Sequence, residues 1–253
     1  MTLLVRAVLL DLGETLVHLG RPWDEVFNAN IQSVYSYLLK LGLHLDYNEF
    51  AARFIRIFDD ASARADLYKI EIPMEEILSK ALRKSGLQVI GVDLPTNAMM
   101  EFFRPEIDAW QLYPDTIETL TRLSEEGYSM GVISNAKSDW AVRSIVDRQN
   151  LGKFVSVVVT SAALRIRKPR PEIFMRALTA LNVKAADSVF VGDSIHADVA
   201  GAKSIGMRTI HVVRKPADSP NFWQPDATVT SLSEALETVT SWNNGSRFQP
   251  AKS

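Results

Sequence analysis

Short runs of unbroken apolar residues alternate along the chain with stretches whose apolar residues recur every three to four positions. The runs are Val5–Asp11, Tyr128–Ser134, Phe154–Thr160, Ser188–Asp193 and Arg208–Val213, with a weaker one at Ala227–Thr230. Continuous hydrophobicity of this length fits strands buried on both faces of a parallel sheet between two layers of helices. Segments of ordinary crossover length separate the later runs: Pro114–Glu126, Asp139–Gln149, Pro171–Leu181 and Asp198–Ile205. Gly127 and Gly206 stand where helix C-caps belong. The pattern predicts an α/β fold, a doubly wound Rossmann-like parallel sheet.

The first interval breaks this rhythm. More than 100 residues lie between the first run and the second, too many for one crossover connection. Within them Phe27, Ile31, Val34, Tyr35 and Leu38 recur at helical spacing, followed by Phe50, Phe54, Ile57 and Phe58, then by Ile77, Leu78, Ala81 and Leu82. Pro22, Asp46 and Gly86 are the expected boundary residues. The expectation is a helical domain at residues 19–107, inserted into a core made of residues 1–18 and 108–253. The polar residues 241–253 read as a mobile tail.

Composition narrows the function. Of 253 residues 47% are apolar and 23% charged, enough for a full hydrophobic core. The 28 basic residues nearly balance the 30 acidic ones without a polybasic run, which argues against nucleic acid and anionic membranes and for a small-molecule ligand. No stretch reaches the roughly 18–20 apolar residues that span a bilayer. The opening MTLLVRAVLLDLG lacks a signal-peptide pattern, so the expected location is cytoplasmic. Nothing demands a partner chain, and the expectation is a monomer or weak homodimer. The absence of cysteine leaves catalysis to carboxylates, hydroxyls, amines and four histidines.

In open parallel sheets ligands bind beyond the carboxyl ends of the strands. Those ends carry Asp11, Ser134-Asn135 and Gly192-Asp193, with Asp198 five residues later and Lys168 in the loop after the third run. Three carboxylates in one place repel unless a cation joins them, and Mg²⁺ suits oxygen ligands shared with a phosphate. Ser134, Asn135, Lys168, and Thr15 with the amides of residues 12–15, are the expected phosphate contacts.

The segments VLLDLGETL, GVISNA, RKPRPEIF and VFVGDSIHADVAGAKSIGM, in that order, resemble the four motifs of the haloacid dehalogenase-like hydrolase superfamily, in the subgroup with a helical cap between the first and second motifs. The resemblance implies a Mg²⁺-dependent phosphatase of a small phosphate monoester. Asp11 is then the nucleophile that forms an aspartyl-phosphate, Ser134 the hydroxyl that bonds the phosphoryl group, and Lys168 the cation that joins the two. Asp11, Asp193, Asp198 and the backbone carbonyl of Gly13 are the metal ligands it implies. It also implies alternatives: a haloacid dehalogenase sharing Asp11, a phosphonate-cleaving enzyme with a Schiff-base lysine at Lys40, Lys69 or Lys80, and a silent binding protein.

One position departs from that family's phosphatases, which carry an acid–base aspartate two residues after the nucleophile. Here it is Gly13. General acid–base catalysis contributes roughly 10²–10⁴-fold, so efficiency is in question. Glu14, a cap residue or a group of the substrate are the available substitutes, unless the leaving group is good enough to need no proton. His196 reads as an exposed helix-start residue, and Arg165, Arg167 and Arg170 as surface charges. His18 and Trp23 read as linker packing or pocket border, and Arg53, Arg56 and Arg64 as members of polar helix faces.

Overall fold

The computed structural model describes residues 4–87, 93–214 and 222–247. Strand β1 (Ala7–Leu10) leads into an antiparallel ribbon of β2 (Val17–Leu19) and β3 (Trp110–Leu112). Between the two ribbon strands run helices α1 (Trp23–Lys40), α2 (Tyr47–Tyr68), α3 (Met74–Lys84) and α4 (Asp93–Ala109). After β3 come α5 (Thr116–Glu125), β4 (Ser129–Ser134), α6 (Asp139–Arg148), β5 (Val157–Thr160) and α7 (Ser161–Leu164). The chain continues through α8 (Pro171–Leu181), β6 (Ser188–Gly192), α9 (Ala200–Ser204), β7 (Arg208–Val212), β8 (Ala227–Val229) and α10 (Leu232–Arg247).

Among the described residues six strands form a parallel sheet in the order β5-β4-β1-β6-β7-β8, the doubly wound Rossmann-like arrangement expected from the apolar runs. Strand β1 is central, with Leu10 facing Val132 on one side and Val191 on the other. Because all six strands point the same way, Asp11, Ser134 and Gly192 reach the same sheet edge. The chain runs outward through β4 and β5 and then crosses to β6. The crevice of such a switch lies beside β1, where helix starts and loop amides converge.

The expected caps hold. Asp46 accepts the Glu49 N–H at 2.9 Å, and Gly86, Gly127 and Gly206 take φ of 82°, 82° and 83°. The predicted apolar stripes are core: Ile31, Val34, Leu38, Phe50, Phe54, Ile57, Ile77 and Leu82 are buried. Helix α4 was not read from the sequence, because Pro95 and Pro105 interrupt its pattern. Pro95 falls in the first turn, where the missing N–H has no helical partner to lose. The ribbon brings both ends of the helical segment together, and Gly20 N–H donates to the Ala109 carbonyl at 2.9 Å.

The tail expectation is corrected in part. Helix α10 continues to Arg247, so the mobile reading fails for residues 241–247, while 248–253 lie outside the described residues. Asn243 is buried and closes a pair with Val5, accepting its N–H at 2.8 Å and donating to its carbonyl at 3.0 Å. The same amide donates to the Tyr128 hydroxyl at 2.9 Å. Polar composition at residues 241–247 therefore hides a docking residue. Asn243→Ala would leave the buried Val5 N–H unpaired and should lower unfolding stability by about 1–3 kcal/mol in a denaturant titration. No change would show that α10 does not hold the entry to β1.

Candidate active site

Asp11 follows β1 directly and is buried, its chain position fixed by its N–H donating to the Val191 carbonyl at 2.9 Å. Lys168 Nζ donates to Asp11 Oδ1 at 2.6 Å and to the Ile133 carbonyl at 3.0 Å, and lies 2.7 Å from Asp198 Oδ1 in an ion pair without hydrogen-bond alignment. Its side chain is 2% exposed, so this ammonium belongs to the interior. Burial works against its charge, but Asp11 and Asp198 outweigh that and hold its pKa above the usual lysine range. Asn135 locks the lysine's backbone reciprocally, accepting the Lys168 N–H at 2.8 Å and donating to its carbonyl at 3.1 Å.

Asp11, Asp193 and Asp198 each offer one oxygen, all within 4.8 Å of one another. Burial raises the Asp11 pKa to about 6, with Asp198 adding to the rise and Lys168 opposing it. Burial likewise raises Asp193 to about 7, with Asp11 and Asp198 reinforcing it. Three carboxylates against one lysine leave a deficit of two positive charges, which a divalent cation with oxygen ligands fits. The backbone is shaped for this cluster: a Cβ on Gly192 would lie 2.2 Å from Asp198 Oδ2, so only glycine admits that carboxylate. Asp198 Oδ2 also accepts the Ser194 N–H at 3.0 Å. His211 Nε2 lies 2.9 Å from the Asp193 carbonyl oxygen, which can only accept.

These residues open onto a cavity of about 430 Å³ lined also by Gly13, Glu14, Ser134, Asn135 and Lys168. Further walls come from α2 through Phe58, Ser62 and Asp66, from α4 and β3 through Phe102, Glu106 and Trp110, each set at four-residue spacing, and from α6 through Ala141, Val142 and Ile145. Thr15 differs from its expected role as a phosphate contact: it is fully buried and does not line the cavity. Its hydroxyl instead donates to Asp11 Oδ2 at 3.4 Å. Glu14 takes φ 58° in the turn after β1 and accepts the Tyr113 hydroxyl at 3.2 Å.

Arg167 corrects its surface reading. It is 19% exposed, lines the cavity, and its Nη1 donates to Glu71 Oε2 at 2.8 Å. Glu71 has a buried carboxylate that also receives the Ser161 hydroxyl at 2.8 Å and Lys137 Nζ at 3.4 Å. With the Ile70–Ile166 bridge, this cluster ties the segment after α2 to the loops that follow β4 and β5. Breaking such a buried cluster from one side costs about 3–5 kcal/mol. Arg165 and His196 are exposed, and Arg170 is half-buried beside Glu172. Trp23 borders the cavity and His18 does not. Lys40, Lys69, Lys80, Arg53, Arg56 and Arg64 all lie off it.

Among the cavity residues that escaped sequence reading are Trp110 and Glu106. Trp110 covers Gly13: a Cβ there would lie 3.2 Å from Trp110 Cη2, so the indole fills the space of an absent side chain. Its Nε1 donates to Glu106 Oε1 at 3.4 Å, and Asn30 Nδ2 donates to Glu106 Oε2 at 3.1 Å. Glu106 is half-buried, and burial raises its pKa to about 7 against the pull of the Trp110 and Asn30 hydrogen bonds. The only sequence signal was the spacing of Glu106 and Trp110, one helical turn apart.

A family model described as haloacid dehalogenase-like hydrolase matches residues 5–206. Over 239 residues, 93% of this chain and 97% of the relative, the chain is 26% identical to a glyceraldehyde 3-phosphate phosphatase of Methanocaldococcus jannaschii. A solved phosphatase structure from Thermococcus onnurineus matches with TM-score 0.64 at 24% identity, covering 93% of this chain and 98% of that one. A 2-haloacid dehalogenase from Pseudomonas syringae matches with TM-score 0.67, also at 24% identity, covering 94% of this chain and all 100% of that one. At these identities the two structures show the fold alone.

The Glu106 shift sets a sign for stability. Glutamate ionises near 4.5 when unshifted and near 7 in the folded protein, so between these values the folded state holds a proton that the unfolded chain has lost. Stability from this group therefore falls as pH rises through that window and stays lower above it. Glu106→Gln has no charge to bury, and its amide can donate to Asn30 Oδ1, which has no hydrogen-bond partner among the described residues. In thermal melts the variant should gain on the wild type at about pH 8 and lose that gain toward pH 4.5. A difference independent of pH would refute the shift.

Proposed function

Because the chain belongs to the haloacid dehalogenase-like hydrolase family, we propose that it is a magnesium-dependent phosphatase of a small phosphate monoester. The observation that carries this reading is the Asp11 carboxylate held by the buried Lys168 ammonium beside Asp193 and Asp198. In this reading residues 19–107 form a cap over a core of residues 1–18 and 108–253. The protein works in the cytoplasm as a monomer or weak homodimer, without nucleic acid or membrane. The near-balanced charge without a polybasic run supports the exclusion of nucleic acid and anionic membranes.

A carboxylate oxygen of Asp11 bonds to phosphorus while the bond from phosphorus to the ester oxygen breaks, and the departing alkoxide takes up a proton from solvent water. Water then attacks the phosphorus of the aspartyl-phosphate, which releases inorganic phosphate and restores the carboxylate. Lys168 holds Asp11 in place and offers positive charge to the equatorial oxygens. Ser134, at the end of β4, and Asn135 lie on the cavity surface where a phosphoryl group meets them. Asp11, Asp193, Asp198 and the Gly13 carbonyl would hold Mg²⁺, which supplies charge neutralisation for the phosphoryl group. Thr15 steadies the nucleophile through its hydroxyl.

The acidic cluster favours this reading over a dehalogenase, which has no use for a cation there. None of Lys40, Lys69 and Lys80 lines the cavity, which disfavours a Schiff-base route. Asp11→Asn should cut turnover of an activated aryl phosphate by about a thousandfold or more, and chelation should abolish it until Mg²⁺ is returned. Turnover that survives the chelator overturns the assignment.

Gly13 explains what to expect of the missing acid–base group. Trp110 stands where an aspartate at that position would project. Gly13→Asp alone should therefore give no gain in kcat on alkyl esters, whereas Gly13→Asp with Trp110→Leu should raise it by about tenfold or more. A gain from the single substitution would show that the indole yields.

A further inference from the structure

The cavity's charges are uneven. It is lined by Asp11, Glu14, Asp66, Glu106, Asp193 and Asp198 against Lys137, Arg167 and Lys168. Each cation is already engaged: Lys168 with Asp11 and Asp198, Lys137 with Glu71, and Arg167 with Glu71 and Asp66. A second anionic group on a substrate finds no uncommitted positive partner among these lining residues. On the acidic side, Asp11, Asp193 and Asp198 form the cation cluster, Asp66 pairs with Arg167, and Glu14 meets Tyr113. Outside that cluster, Glu106 has no Lys or Arg within ion-pair distance among the described residues, and its partners are the neutral donors Asn30 and Trp110.

Its setting is apolar. Phe58, Phe102, Phe103 and Trp110 line the same cavity and would hold a hydrocarbon body. Trp110 measures the distance, since its ring touches the Gly13 position at one end and Glu106 at the other. Glu106 thus stands about one indole length from the nucleophile's loop. A carboxylate offers about four acceptor sites, and the two existing hydrogen bonds leave some open.

We propose that Glu106 selects the alcohol half of the substrate, pairing with a protonated amine at the end of an apolar leaving group about as long as an indole ring. This inference rests on the phosphatase reading of the same site and names its substrate class: phosphate monoesters of apolar amino alcohols or aminoalkyl phenols. A terminal hydroxyl is the weaker, neutral version of the same contact. A terminal carboxylate or second phosphate is rejected. An ammonium bound beside the carboxyl would favour the ionised form that burial disfavours, and so would lower the raised Glu106 pKa.

The test uses phenyl phosphates that carry aminomethyl, hydroxymethyl, methyl or carboxyl groups at the para position, so that leaving-group strength stays nearly constant. Wild-type protein with Mg²⁺ should show kcat/KM for the aminomethyl ester about ten- to a hundredfold above the methyl ester, with the carboxyl ester lowest. Glu106→Gln should collapse that ratio. Glu106→Asp should restore part of it and favour an aminoethyl ester, one carbon longer. Hydrolysis of nitrophenyl phosphate without any preference among the four esters overturns the inference and leaves the phosphatase reading standing. A preference that persists in Glu106→Gln also overturns it. If neither nitrophenyl phosphate nor any ester is cleaved, the phosphatase reading fails and this inference fails with it.

Discussion

An ammonium group in the interior, Lys168 Nζ, organises this molecule. Moving a charge out of water costs several kcal/mol even after the protein relaxes, and the cost is met only by well-placed opposite charge. Asp11 supplies that charge from the end of β1 and Asp198 from the helical turn after β6, and the carbonyl of Ile133 completes it from β4. Each of these groups needs the parallel sheet to bring it there. The Asn135 clamp on the lysine's backbone, the bare Cα of Gly192 and the buried hydroxyl of Thr15 are the local adjustments that let the charges meet.

The arrangement remains electrically incomplete, and this incompleteness is what gives the site chemical capacity. One lysine cannot neutralise three carboxylates, and burial shows its effect in the raised pKa values of Asp11 and Asp193. A centre satisfied from within would have no need of a cation or a phosphate. The opposite wall differs in kind: it is mainly aromatic, with one carboxyl group and an indole laid over the glycine after Leu12. The Glu71 cluster couples the two walls, because its carboxylate is shared by cationic side chains and a hydroxyl from the sheet side.

Much of this was legible from the chain itself. Unbroken apolar runs revealed the six sheet strands because burial on both faces leaves no polar alternation to confuse them. The acidic and basic residues at their ends could be placed because parallel strands share one functional edge. What stayed hidden depends on contacts distant in sequence. The ribbon strands are three residues each, too short for any period, and Trp110 sits over Gly13 only because Leu19 pairs with it. Arg167 resembles any loop arginine until Glu71, 96 positions earlier, is seen beneath it. Asn243 belongs to a polar stretch whose burial follows from hydrogen bonding to Val5, an interaction that hydrophobic patterning does not encode. Glu106 reads as an ordinary surface glutamate of a helix until the cavity gives it a direction.

The ribbon formed by Val17–Leu19 and Trp110–Leu112 has an evolutionary consequence. Chain insertions are tolerated best where the two cut ends already lie side by side, since the host then closes without strain whatever length is spliced in. Here departure and return are adjacent, so the helical piece between them can be exchanged for one of another size while the sheet keeps its register. Descendants of such a scaffold can change what they recognise by trading that piece, leaving the inherited chemistry of the sheet edge intact.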